Sequence, residues 1–352
     1  MSDLSNLLLE LLSIPSETGR EQNLSKFVFE RLAAQSAYCC QQQGLSLTYR
    51  GPLDPEKQTL GFFGHLDTVQ DQQTLIPQIK GDRVYGCGAS DMKAGLAVMM
   101  SLMQQDPAQS AYNLVFVFYD KEEGPYLENG LEPVLSRQKE LSQIDLAFAL
   151  EPTDNRIEMG CMGGLHALVT FKGQSAHSAR PWQGENALHA AWPLLKRLSE
   201  QKPKEVVFGG LPFFEVINAT QGTTDNRRNS IPGHFTLNLN YRFAPGKEME
   251  LAKQELLDLV GEGPEVLFVD ECPSAPVVDE NPLFARFLAA TELPVQSKQA
   301  WTDIARLAVY GIDGVNLGPG RSDQAHQKDE WTSIQDLEKN HRIFSNFLFG
   351  AP

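Results

Sequence analysis

The chain has 352 residues, 41% of them hydrophobic and 21% charged, with a formal net charge of −15. That length and balance fit a soluble globular protein of one large or two medium domains, and the acidity argues against a nucleic-acid surface. The five cysteines are scattered with no CxxC pair, so neither a thiolate metal site nor a disulfide framework is suggested; no basic leader or membrane-length apolar run opens the chain, and a cytoplasmic location without membrane contact is expected.

In chain order, residues 4–12 have the spacing of an amphipathic helix, 15–19 read as a turn and 21–34 as a second helix. Residues 45–49 and 59–63 are of strand length. The second strand delivers His65 and Asp67; after a turn and a hairpin, Asp91 opens the apolar helix 94–100. Residues 113–119 and 145–150 are continuous apolar strands of the kind buried on both faces of a parallel sheet, and they deliver Glu122 with Glu123, then Glu151. Strands alternating with helices predict an α/β fold with a doubly wound, mostly parallel sheet.

The pattern changes near Gly163. Strand 165–172, helix 184–198, strands 213–220 and 235–243, helix 247–260 and strand 266–270 follow the β-α-β-β-α-β order of a ferredoxin-like unit. The expected division is a discontinuous domain, 1–163 and 272–352, with an inserted α+β domain at 164–271. Pro273-Ser274-Ala275-Pro276 marks the return. Helices 283–290 and 302–310 follow. Strand 312–317 then delivers Gly318-Pro319-Gly320, the stretch AHQKDE (325–330) comes next, and helix 334–349 closes the chain.

His65 and Asp67, two apart at a strand end, share a face in extended chain. They read equally well as metal chemistry or as a histidine capped by its neighbour, with Asp91 an ordinary helix cap. The other strand ends shift the balance. His65, Asp91, Glu123, Glu151 and His326 form a nitrogen and carboxylate set suited to catalytic Zn²⁺, with Co²⁺ or Mn²⁺ also fitting. Five ligands exceed one tetrahedral ion and suffice for two if Asp91 bridges. Glu122 and Glu123 point to opposite sides of the backbone, so one can bind metal while the other acts as general base. Among the remaining histidines, His166 and His189 read as packing residues and His234 and His341 as surface residues. His177, in the turn of SAHSARP (175–181), is ambiguous on sequence alone. Arg242 lies mid-strand, where the alternatives are a carboxylate fork and a solvated edge-strand charge.

Six ordered motifs, GHLDTV (64–69), SDMKAG (90–95), DKEEG (120–124), EPT (151–153), SAHSARP (175–181) and AHQKDE (325–330), resemble the dinuclear zinc aminoacylase/carboxypeptidase family of metallohydrolases over nearly the whole chain. GCGASDMKAG (86–95), HSARPWQGENALHAA (177–191), NYRFAP (240–245) and the stretch 301–320 resemble its branch that removes succinyl groups from diamino acids. The resemblance implies an amidohydrolase acting on a small anionic N-acyl amino acid. It implies two Zn²⁺ per chain, one held by His65, Asp91 and Glu151, the other by Asp91, Glu123 and His326. Asp67 would orient His65, Glu122 would be the catalytic base, and a strained or cis peptide would follow Asp91. It further implies a homodimer in which His177 reaches the partner's active site. The helical positions Leu188, Ala191, Leu194, Leu195 and Leu198 are the expected pairing face. Substrate contacts are expected at Arg180, Arg242, Asn229, Gly318 and Gly320; the loop 223–232 has an inserted look, and only Asn229-Ser230-Ile231-Pro232 in it matches the family's Asn-x-x-Pro. Acetylornithine deacetylase and small dipeptidase chemistry remain alternatives within the class, a mononuclear or non-catalytic metal-binding module outside it.

Overall fold

The structure is a computed structural model that describes residues 3–35, 37–224 and 226–350. It resolves into two compact units, one formed by residues 1–160, 278–296 and 302–352, the other by 161–277 and 297–301.

The first unit is built on an eight-stranded sheet. Its strand order is Cys39–Gln43, Ser46–Arg50, Asn113–Tyr119, Thr59–His65, Leu146–Pro152, Gly314–Gly318, Ile157–Met159 and Val295–Ser297. The four middle strands run parallel, with Thr59–His65 registered against Asn113–Tyr119 on one side and Leu146–Pro152 on the other. Antiparallel pairs flank them, Ser46–Arg50 at one side and Ile157–Met159 at the other. Asn113–Tyr119 and Leu146–Pro152 are buried at every position, which is why they read as unbroken apolar runs.

Successive side chains along a strand serve opposite faces. Phe62 and Phe148 stack at 5.6 Å and meet Phe344 of the closing helix, Ile334–Phe349, edge-on at 5.2 and 5.1 Å. Phe63 turns the other way into a cluster with Val117, Leu131, Val134 and Leu307, contributed partly by helices Leu131–Arg137 and Ile304–Val309. Helices therefore cover both faces, as a doubly wound sheet requires.

The second unit is a five-stranded antiparallel sheet in the order Lys204–Phe208, Leu211–Thr223, His234–Phe243, Gly163–Lys172, Glu265–Cys272. Its last four strands have the ferredoxin-like arrangement. Leu237, Leu239 and Tyr241 join Leu165, Ala167 and Val169 in a core closed by Leu194, Ala252 and Leu256. The helix expected at 184–198 is two helices, Ala187–Ala190 and Trp192–Glu200. Pro193 starts the second, because its ring supplies no N–H to continue the first. The pairing face expected on this segment is mostly core: Ala191 and Leu194 are buried, and Leu195 and Leu198 pack beside them. Leu188 and Trp192 are the apolar side chains left exposed there, 42% and 64%. The short segment 297–301 belongs to this unit: Gln299 accepts from Phe214 N and donates to Pro212 O, and the Trp301 indole donates to Pro273 O.

Helix Lys93–Leu102 is pressed directly onto the parallel strands. A Cβ on Gly95 would meet Leu150 O at 2.5 Å, and one on Gly64 would meet Leu96 Cδ2 at 2.7 Å. The Leu150 obstacle is backbone and cannot swing aside. Gly95→Ala is expected to cost about 1–3 kcal/mol, the range for overpacking a tight core. An unchanged denaturant midpoint for that variant would show that the helix is free to move off the sheet.

Candidate metal centre

The carboxyl ends of the parallel strands are where ligands gather in open α/β sheets. His65 ends its strand with a side chain 1% exposed. Its Nδ1 lies 2.9 Å from the carbonyl oxygen of Asp67. A carbonyl only accepts, so Nδ1 carries the proton and Nε2 is left as the ligating nitrogen. Nε2 faces Asp91 Oδ1 at 3.2 Å and Glu151 Oε1 at 3.9 Å.

The other oxygen of Asp91 looks elsewhere. Asp91 Oδ2 is 3.5 Å from His326 Nε2, which is 2.9 Å from Glu123 Oε1. Two donor groups result, His65-Asp91-Glu151 and Asp91-Glu123-His326, each with ligand atoms within 4.8 Å of one another. Asp91 is common to both. A third group, His65-Glu122-Glu123, overlaps them. The peptide bond between Asp91 and Met92 is cis.

Asp67 sits beneath this cluster, fully buried. Its Oδ1 accepts from Glu122 N at 2.9 Å, and its Oδ2 accepts from Glu123 N and from Thr18 Oγ1, both at 3.0 Å. One carboxylate therefore fixes the main chain of both glutamates. Burial pushes the Asp67 carboxyl up, but His65 and those two amides outweigh it and hold it below the usual carboxylate range. Glu122 goes the other way. Burial raises it well above the ordinary range; nearby His65 opposes this, while Glu151 and Glu123 reinforce it. Burial alone would lower His65, yet bonding to Asp67 and Asp91 and the charges of Glu122 and Glu151 raise it well above its usual value. His326, half exposed, is raised to about 9, chiefly by Glu123. The field here is strongly negative and favours any cation its donors can reach. Imidazole and carboxylate donors in two groups of three, sharing one carboxylate, fit a pair of divalent ions.

The other expected site residues fall in two places. Gly318 and Gly320 are in the first unit, against backbone: a Cβ would meet Glu151 O at 2.3 Å and Ser90 O at 2.1 Å respectively. His177, Arg180, Asn229 and Arg242 are in the second unit. Ala176–His177 pairs with Ser230–Ile231, Arg180 N donates to His177 O at 2.7 Å, and Ser178 N donates to Asn229 O at 3.0 Å, so the first three share one exposed corner. Asp225 of the intervening loop lies outside the described residues. Arg242 is on an interior strand, between Val216 and Gly164, and donates to Asn240 at 3.1 Å; the edge-strand alternative does not hold.

Sequence reading passed over Thr18 and a buried network next to the centre. Asp303 accepts from Asn129 at 2.8 Å and from Arg306 Nε at 3.0 Å, and Arg306 reaches Glu132 at 2.7 Å. The available signal was an Asp and an Arg three apart in an otherwise apolar helix.

A cluster of this composition at this edge defines a metallohydrolase-type centre. Residues 61–349 match the model of peptidase family M20/M25/M40, and the chain belongs to that family. It is similar to the succinyl-diaminopimelate desuccinylase of Corynebacterium glutamicum, with 30% identity over 354 residues covering 97% of this chain and 95% of the relative. It is 32% identical over 350 residues, 99% and 98% of the two chains, to a provisionally assigned succinyl-diaminopimelate desuccinylase of Mycobacterium tuberculosis. A tripeptidase from Staphylococcus aureus shares the fold, with a TM-score of 0.81 at 20% identity, covering 98% and 97% of the two chains. The protein is a metal-dependent amidohydrolase.

Asp67→Asn would set an amide N–H against a main-chain N–H of Glu122 or Glu123. The expected result is a destabilisation of about 1–3 kcal/mol and a metal affinity lower by about 10–100-fold. Equilibrium denaturation and chelator competition measure the two; parental values in both would remove Asp67 from its supporting role.

Proposed function

We propose that the protein hydrolyses N-succinyl-LL-2,6-diaminopimelate to succinate and LL-2,6-diaminopimelate, a step of lysine and cell-wall precursor biosynthesis in the cytoplasm. The observation that carries the chemistry is the division of Asp91's two oxygens between His65 and His326. The substrate rests on the full-length similarity to desuccinylases. In this reading His65, Asp91 and Glu151 hold one zinc ion and Asp91, Glu123 and His326 the other. Bound there, the ions supply Lewis acidity toward the amide carbonyl and make water easier to deprotonate.

The chain's own groups do the rest. Glu122 takes a proton from the attacking water and hands it to the leaving amine nitrogen. Asp67 keeps its charge, holds the His65 ring through main chain and carboxylate, and fixes the backbone from which Glu122 and Glu123 project. Arg180 and Arg242 are the candidates for the substrate's carboxylates, since guanidinium forks match them in pairs. Asn229 and the backbone at Gly318 and Gly320 complete the contacts.

A hydrolysis panel of N-succinyl, N-acetyl and dipeptide substrates with zinc supplied tests the substrate. Fastest turnover is expected on the succinylated diamino acid; preference for N-acetylornithine or a dipeptide would assign another activity of the class. Glu122→Gln is expected to keep both ions by elemental analysis and to lose about 10²–10⁴-fold in kcat. Loss of metal in that variant would make Glu122 a ligand.

The reading includes a homodimer in which His177 serves the partner's site. His177 is exposed, and exposed Trp192 and Leu188 lie on the same unit. His177→Ala and Glu122→Gln are each expected to be nearly inactive. Mixed dimers of the two should regain up to about half of one dimer's activity, since one composite site would be intact. No recovery after demonstrated subunit exchange would place His177 outside the reaction.

A further inference from the structure

Asp91 must keep its two oxygens divided between two histidines, yet it lies on a turn before a helix, with no side-chain cap at that helix's start. The turn is held from elsewhere. Glu330, 2% exposed, aims its carboxylate into it. Glu330 Oε2 accepts from Gly88 N at 2.8 Å, and Oε1 accepts from Ser90 N at 2.6 Å and Asp91 N at 2.9 Å. The main chain repeats the attachment: Gly86 N donates to Glu330 O at 3.0 Å, and Ser90 Oγ donates to Trp331 O at 2.9 Å. Strand Trp331–Ser333 pairs antiparallel with Arg83–Tyr85, which sets Glu330 opposite the turn. Glu330 also follows His326 by four residues, so one side chain ties the segment bearing that ligand to the turn bearing Asp91.

We propose that Glu330 is a positioning residue for the bridging carboxylate: by binding three amides of the turn, those of Gly88, Ser90 and Asp91, it fixes where Asp91 divides its oxygens. The inference rests on the two-ion reading. Glu330 touches neither substrate nor reacting atoms. Its carboxylate is needed because it presents acceptors alone to three donors. A glutamine would oppose one of those N–H groups with its own, and an aspartate would fall short of the same reach.

The test compares parent, Glu330→Gln and Glu330→Asp in the full-length chain. Zinc stoichiometry is measured first, then the affinity of each ion by chelator competition, then the visible spectrum of the cobalt-loaded protein. Phe287→Leu, a core change remote from the turn, serves as a control for lost stability. Both Glu330 variants should bind the ions about 10–100-fold more weakly and show an altered cobalt spectrum, with kcat lowered more than KM is changed. The control should keep the parental spectrum. If Glu330→Gln does not fold, Glu330→Asp carries the same comparison. A parent holding two ions with Glu330 variants of parental affinity and spectrum would overturn this proposal alone. A parent that binds at most one ion after zinc loading would overturn the two-ion reading, and this proposal with it.

Discussion

The centre depends on holding like charges together. Asp91, Glu122, Glu123 and Glu151 fall into overlapping groups of donor atoms within 4.8 Å, each group joined to the next by a shared residue, over a fifth carboxylate, Asp67. Two such charges 4 Å apart repel by about 4 kcal/mol at an effective dielectric constant near 20. The arrangement persists because the groups are attached where the backbone has little freedom: the ends of parallel strands in register, and a helix whose glycine lies against the strand beneath it. The same crowding separates the carboxyls by role. Asp67, with main-chain donors on both oxygens, is held ionised; for Glu122 burial outweighs the nearby His65 and drives it toward the proton. Two neighbouring carboxyls are thus pushed in opposite directions, which leaves the charged one as a support and the other able to carry a proton.

Much of this was legible in the sequence because the strands that matter are buried on both faces. Asn113–Tyr119 has no polar side to dilute its apolar run, and the residues following such a strand are placed by it. His65, Glu122, Glu123 and Glu151 are legible that way, at or just after strand ends; Asp91 is legible as the opener of a helix, and His326 lies in the stretch that follows the strand Gly314–Gly318. What escaped was tertiary. The strands Ile157–Met159, Val295–Ser297 and Lys204–Phe208 are short pieces that exist because a neighbouring strand offers hydrogen bonds. The apolar stripe of Leu194, Leu195 and Leu198 has the same spacing whether it meets a partner or its own sheet; here it meets the sheet. Glu330 stands in a polar stretch beside Asp329, and nothing local distinguishes the one that turns inward, because its three donors lie about 240 positions earlier in the chain.

The substrate and the chemistry are written in different kinds of structure. At the centre, Gly318 and Gly320 leave no room for a Cβ, and Gly95 and Gly64 close the helix onto the sheet. Substitution there displaces backbone that carries ligands, so the geometry is over-determined. The S. aureus tripeptidase and this chain share that fold at 20% identity, and a shared fold does not decide what is cleaved. His177, Arg180 and Asn229 instead sit on an exposed corner joined by a two-residue strand pairing, where side chains and loop length can change without disturbing a core. Arg242 stands between these extremes, on an interior strand but on the face opposite Tyr241 and Phe243, where the alternation of the strand keeps it out of the core. On the proposed reading, variation in those four side chains would change the substrate while leaving the ligand cluster at the edge of the parallel sheet intact.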